Sequence, residues 1–184
     1  MSGPTDRFCA RGYPFPLGTQ LERLAFRLAW LLLARFTPPP LFAWRRLLLR
    51  LFGARIGAGV RIYGSTRVWL PRNLEIGTGA LIGPGANLYN QGQIVIGPFC
   101  VVSQRAFICA STHRVADPGF ALELRPVSIG RGCWLAAEAF VGPGVTMGDG
   151  AVLAARGALF EDAQPMTVYR GNPAVPIGER RFED

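Results

Sequence analysis

His113 is the one histidine in this chain of 184 residues. Imidazole is the side chain best suited to exchange a proton near neutral pH, so His113 is the natural candidate for a general base. A lone histidine at a loop boundary can equally be plain surface, and on the residues alone both readings stay open. A single histidine cannot furnish a multi-histidine metal centre, and no metal site is expected. The four cysteines, Cys9, Cys100, Cys109 and Cys133, have neither CxxC spacing nor the density of a disulfide framework. They read as small buried apolar residues in a reducing compartment.

All 20 basic residues are arginine. Eight of them lie in residues 1–50, against only Asp6 and Glu22, so that segment carries +6 of the net +8. A basic surface suits phosphates, nucleic acid or an anionic membrane. No nucleic-acid-binding motif is present, and no nucleic-acid partner is expected.

The elements that must position these groups are legible as a repeat. Ile-Gly recurs at Ile56, Ile76, Ile96 and Ile129, the first three 20 residues apart. An aliphatic residue returns every sixth position: Ile56, Ile62, Val68; Ile76, Ile82, Leu88; Ile96, Val102, Ile108; Ile129, Leu135, Val141; Met147, Leu153, Leu159. Four residues after each stands a small residue such as Val60, Ala80, Cys100, Thr112 or Cys133, with Arg72 as the exception. This pattern predicts a coil of three short strands with a narrow interior, and about five such coils stacked roughly 4.8 Å apart. The two extra residues of these longer blocks, Leu74-Glu75 and Ile94-Val95, are expected to bulge at a corner. A β-sandwich does not account for strict hexads with glycine.

Residues 17–52 lack the hexad. They read as two helices divided by Thr37-Pro38-Pro39-Pro40. Leu21, Leu24, Leu28, Leu31 and Leu32 follow helical spacing, with Arg23, Arg27 and Arg35 largely on another side. The stripe fits a cap over the open first coil, or a basic amphipathic segment on a membrane surface, and the two are compatible. The expected organisation is an N-terminal arm and helical cap over residues 1–52, a β-helix over 53–164 and a C-terminal segment over 165–184. No secretory signal is visible, and the longest apolar run, Leu28 to Ala34, is too short to span a bilayer. The cytoplasm is the expected compartment, with peripheral membrane contact through the helices left open.

The interval from Ile96 to Ile129 is far longer than the blocks before it. The excess reads as a loop, 114–126, thrown out from a coil corner, and His113 stands directly before it. The stretches WRRLLLRLFGARIG (44–57), ICASTHR (108–114), RPVSIGRGCWLAA (125–137), FVGPGVTMGDGAVLAA (140–155) and RGNPAVPIG (170–178) resemble the colanic-acid-biosynthesis acetyltransferases. That group is related to the galactoside, maltose and nodulation O-acetyltransferases. The resemblance covers about residues 41–177 and implies a left-handed parallel β-helix, against the usual right-handed crossover preference.

The resemblance implies an acetyl-CoA-dependent O-acetyltransferase acting on a saccharide, a precursor of exopolysaccharide or another cell-surface glycan. It implies a homotrimer whose active site lies in the cleft between neighbouring subunits. His113 matches the family's base, which removes the hydroxyl proton as the oxygen attacks the thioester. Ala137 and Ala155 match the positions along which CoA lies, and they stand one full coil apart. Trp134 matches an aromatic beside the thioester end, and it reads equally as an exposed coil edge. Arg156, Arg170 and the turn containing Asn172 and Pro173 are candidates for the nucleotide phosphates, which suit a guanidinium fork. Asn90 matches the acceptor-sugar side and Asn87 is a further candidate; both read equally as turn residues. Arg114 departs from the group, which commonly carries an acid after the histidine, and this puts the acceptor in question. A non-catalytic scaffold and a non-sugar acceptor remain as alternatives. The zinc-dependent carbonic-anhydrase relatives need several histidines, and serine acetyltransferases carry a larger helical domain.

Overall fold

The computed structural model describes residues 15–182; Cys9 and the start of the N-terminal arm lie outside them. Helices α1 (Leu17–Leu33) and α2 (Phe42–Leu51) precede a solenoid of short strands. The first coil is β1 (Arg55–Ile56), β2 (Arg61–Ile62) and β3 (Arg67–Val68). The second is β4 (Leu74–Ile76), β5 (Leu81–Ile82) and β6 (Asn87–Tyr89), and the third β7 (Ile94–Ile96), β8 (Val101–Val102) and β9 (Phe107–Cys109). A hairpin of β10 (Ser111–His113) and β11 (Leu122–Leu124) then leaves the solenoid. The fourth coil is β12 (Val127–Ile129), β13 (Trp134–Leu135) and β14 (Phe140–Val141), and the fifth β15 (Thr146–Met147), β16 (Val152–Leu153) and β17 (Ala158–Leu159). β18 (Thr167–Gly171) and β19 (Ala174–Glu179) end the chain as an antiparallel pair.

Successive coils pair in parallel and in register, giving three faces. Face A is β1-β4-β7-β12-β15, face B is β2-β5-β8-β13-β16-β18-β19, and face C is β3-β6-β9-β14-β17. All fifteen aliphatics of the hexad series are buried, as are the small residues Val60, Thr66, Ala80, Ala86, Cys100, Ala106, Cys133, Ala139, Val145 and Ala151. Each buried aliphatic is worth on the order of 1.5–3 kcal/mol, and no single coil could bury enough to stand alone. Corners need close approach: a Cβ on Gly97 would lie 2.6 Å from the Gly130 carbonyl oxygen one coil above.

Three expectations are corrected. Leu74-Glu75 and Ile94-Val95 are not corner bulges. They lie within β4 and β7 and pair with each other, Leu74 with Ile94 and Glu75 with Val95. Leu74 and Ile94 are apolar and gain by pointing inward, so the slack falls in the preceding corners, as a 3-10 turn of Pro71–Asn73 before β4 and a bend at residues 91–92 before β7. Thr112 is not an inward small residue, because the chain has already left the coil and Thr112 pairs with Glu123 in the hairpin.

The third correction concerns the leucine stripe of α1. The helix does close the end of the first coil, but with its opposite side: Thr19, Phe26 and Trp30 are buried, whereas Leu21 is 65% and Leu28 50% exposed. Large aromatic rings fill the coil end better than leucines.

The helices also supply the first coil with hydrogen-bond donors. Carbonyls that would bond to a preceding coil are met by side chains: Arg50 Nε donates to Ile56 O (3.0 Å), Arg46 Nη1 to Val60 O (2.8 Å), Arg45 Nη1 to Ile62 O (3.1 Å) and Trp30 Nε1 to Gly64 O (3.0 Å). A row of unpaired strand carbonyls would otherwise be an open edge.

Candidate active site

His113 is the last residue of β10, and its backbone pairs with Leu122. The predicted loop 114–126 is therefore a short antiparallel hairpin with its tip at residues 114–121. Phe120, at φ 53°, returns the chain, and its carbonyl oxygen lies 2.7 Å from His113 Nδ1. A carbonyl only accepts, so in the neutral ring Nδ1 carries the proton and Nε2 keeps the lone pair. The Phe120 ring stacks on the imidazole, 5.1 Å between centroids at 24°. The imidazole is exposed, in a shallow depression bordered by Arg114, Asp117, Glu123 and Arg125. Glu123 and Arg125 form an ion pair at 3.1 Å.

A second group of candidates gathers at the corner between faces B and C. Here the coil-to-coil bonding runs through Ala136 N–H to Leu153 O (2.9 Å), Glu138 N–H to Gln104 O (3.0 Å) and Arg156 N–H to Ala137 O (2.9 Å). The N–H groups of Ala137 and Ala155, one coil apart, take no part in this bonding among the described residues. Trp134, on face B just before this corner, is 45% exposed, and its Nε1 donates to Ser103 Oγ (3.0 Å). Ala154 N–H donates to Tyr169 O (2.8 Å), which carries β18 onto the same edge. Arg170, near the end of β18, and Asn172 and Pro173, in the turn that follows, are exposed.

Arg105, Glu138 and Arg156 stack at this corner with φ of 57°, 60° and 58°. Glu138 pairs with Arg105 and, at 2.7 Å, with Arg156 Nε. The hydrogen bond from Arg156, with the charge of Arg105, holds the Glu138 carboxyl below the usual carboxylate range. Sequence reasoning missed this ladder. A carboxylate flanked by one arginine a coil below and another a coil above becomes a signal only once the coil register is known.

Within one chain these groups are not brought together. His113 lies at the corner between faces C and A, whereas Trp134, Ala137, Ala155, Arg156 and the β18–β19 turn lie at the corner between faces B and C. Asn90 is corrected as an acceptor-side residue. It is fully buried, its Oδ1 accepts from Trp69 N–H (2.8 Å) and Leu70 N–H (3.2 Å), and its Nδ2 donates to Leu70 O. The amide is consumed in tying the second coil to the first. Asn87 is half-buried on the outer side of face C, in a groove shared with Arg67, Tyr89 and α1. Cys100 and Cys133 are buried free thiols that stack between coils, and Cys109 is half-buried and free. The Cys133 thiol is pushed up by its hydrogen bond with Cys100 and by burial.

The fold has close counterparts. A galactoside acetyltransferase solved with coenzyme A superimposes with a TM-score of 0.83 at 19% identity, over 98% of this chain and 92% of that one. The hexapeptide-repeat acetyltransferase VCA0836 of Vibrio cholerae O1 biovar eltor, solved with acetyl coenzyme A, superimposes at 0.81 and 15% identity, over 98% and 100%. Superposition this close requires the same stacked parallel coils in all three chains. No family model matches the chain. Fold and repeat together define a hexapeptide-repeat parallel β-helix.

In sequence, the chain is 45% identical over 145 residues to the Escherichia coli (strain K12) protein named as the colanic acid biosynthesis acetyltransferase WcaF, covering 79% of this chain and 80% of that one. The chain belongs to that acetyltransferase family.

Proposed function

We propose that the protein moves an acetyl group from acetyl-CoA to a hydroxyl of a saccharide, a precursor of a cell-surface polysaccharide, with His113 as general base. The observation that carries this reading is the bond between His113 Nδ1 and the Phe120 carbonyl, which leaves Nε2 free to accept a proton. As the C–O bond forms between the acceptor oxygen and the acetyl carbon, Nε2 takes the hydroxyl proton. It returns that proton to the departing thiolate, and no covalent enzyme intermediate is needed. The saccharide class follows from the family of WcaF.

The position of the two candidate groups supports a homotrimer. Face C separates the edge carrying His113 from the edge carrying Ala137 and Ala155. In a three-fold ring with face C toward the axis, each His113 edge adjoins the other edge of the next copy, completing three sites. The outer side of face C suits such contact: Tyr89, Phe107, Phe140 and Phe160 form an aromatic ladder with centroid spacings of 6.1, 5.4 and 5.7 Å. On this reading the pantetheine amides meet the N–H groups of Ala137 and Ala155, with Trp134 at the thioester end. Arg156, Arg170, Asn172 and Pro173 face the nucleotide phosphates. Asn87 is the remaining acceptor-side candidate.

A second reading, a non-sugar acceptor bearing an anionic group, is favoured by Arg114, exposed directly beside His113. Free cysteines fit a reducing compartment, and the reaction is assigned to the cytoplasm.

The test is thiol release from acetyl-CoA across a panel of neutral and anionic saccharides and non-sugar alcohols, with His113→Ala alongside and calorimetric CoA binding for both proteins. Wild-type turnover on a saccharide and a loss of about 10²–10⁴-fold in the variant, with CoA binding kept, is the expected result. Equal rates overturn the base. No turnover together with no CoA binding favours the scaffold alternative.

A further inference from the structure

Leu17, Leu21, Leu24, Leu28, Leu31 and Leu32 of α1 are each 45–76% exposed. At about 100° per residue they fall in an arc of roughly 100°, opposite the arc of Thr19, Phe26 and Trp30. Those three face the first coil, and Trp30 with Arg45, Arg46 and Arg50 meets carbonyls that point along the solenoid axis. The leucine arc therefore points away from the first coil at the base of the solenoid, Leu17, Leu21 and Leu32 on its outer side and Leu24, Leu28 and Leu31 bordering the groove beside face C. Trp44, Leu47 and Leu51 of α2 are exposed beside it.

Charge decides what covers this base. Arg27, Arg35 and Arg61 are exposed around it, and none is ion-paired among the described residues. The neighbouring acids are already taken, Glu22 by Arg72 at 2.7 Å and Glu75 by Arg55 at 3.0 Å. Two copies meeting base to base would press like-charged rims together. A bilayer with anionic headgroups offers hydrocarbon to the leucines and phosphate to the guanidinium groups.

We infer that the base of the solenoid is a docking surface for an anionic phospholipid bilayer, with α1 lying in the interface plane. No helix among the described residues is long and apolar enough to cross a membrane, so the contact is peripheral. The inference rests on the cytoplasmic assignment and not on the acyl-transfer chemistry. In the proposed trimer the three bases share one plane, so three weak contacts act together.

The experiment is co-sedimentation of the full chain with vesicles of phosphatidylglycerol and phosphatidylcholine, and with vesicles of phosphatidylcholine alone. The double variant Leu21→Gln/Leu32→Gln, both outside the groove that holds Asn87, is run in parallel, with light-scattering mass and vesicle-free acetyl transfer measured for both proteins. Expected are binding to the anionic vesicles only, a loss of about tenfold or more in the double variant and at high salt, and unchanged mass and transfer rate. Absence of vesicle binding, or equal binding by the double variant, overturns the inference. A wild-type mass that drops in the double variant assigns the face to a second copy instead. Failed docking with intact transfer sinks only this inference, and intact docking without transfer sinks only the acyl-transfer reading.

Discussion

His113 Nδ1 and the Phe120 carbonyl oxygen are 2.7 Å apart, and the two rings stack. One residue thus fixes the tautomer of the imidazole with its backbone and the ring plane with its side chain. Phe120→Ala keeps the first and removes the second. Its kcat is expected to fall by up to about tenfold as the ring loosens, with KM for acetyl-CoA unchanged. Steady-state kinetics on the best acceptor separate the two constants, and a change in KM alone would contradict the assignment.

Proline already stands in the corner place equivalent to Ala137 and Ala155, at Pro84, Pro98 and Pro143. Ala155→Pro therefore fits the coil and deletes only an N–H. We expect an unchanged melting temperature and CoA binding weakened by about 1 kcal/mol, roughly fivefold. Calorimetry with CoA reads this directly. Unaltered affinity would show that the N–H does not meet the ligand.

Arg45 is 1% exposed and donates to Ile62 O and Pro39 O through Nη1, to Thr37 O and Pro38 O through Nη2, and to Thr37 Oγ1. Burial lowers its pKa from the ordinary arginine value, while the surrounding carbonyls satisfy the charged form. Arg45→Met leaves those carbonyls without a donor and is expected to cost about 3–5 kcal/mol in urea unfolding. Arg45→Lys recovers little, since an ammonium lacks the planar fork.

The Glu138 carboxyl is held below its usual range in the folded protein by Arg156 and Arg105. Its contribution is therefore present above the unfolded carboxylate value of about 4.3 and is lost as pH falls through the depressed folded value. Wild type should melt slightly above Glu138→Gln at neutral pH, the gap closing in acid and shrinking with salt because the pair is exposed. A gap that widens in acid would contradict this ion pairing.

The solenoid was legible because its interior is one residue wide: each aliphatic of the hexad series has a single place to go, and all fifteen took it. Corner chemistry was less legible. Asn90 reads as polar and solvent-facing, yet its amide matches the unpaired N–H and C=O groups of Trp69 and Leu70 one coil below, partners remote in sequence. The leucine stripe of α1 declares an amphipathic helix but not which side is covered, because Phe26 and Trp30 give the same helix a second apolar face. At the candidate site, type and place made His113 a candidate, and the family resemblance supplied its role. Its partner Phe120 could not be singled out, because what it contributes is a carbonyl, which every residue has.

The guanidinium-capped first coil also sets a limit on length. Stripped of α1 and α2, the solenoid would expose strand carbonyls on a surface whose cross-section repeats coil after coil. Such an end invites another molecule to add on as the next coil, and then another, giving linear growth at roughly the 4.7–4.8 Å repeat of cross-β fibres. Three arginines and one indole, spent on Ile56, Val60, Ile62 and Gly64, keep the molecule finite.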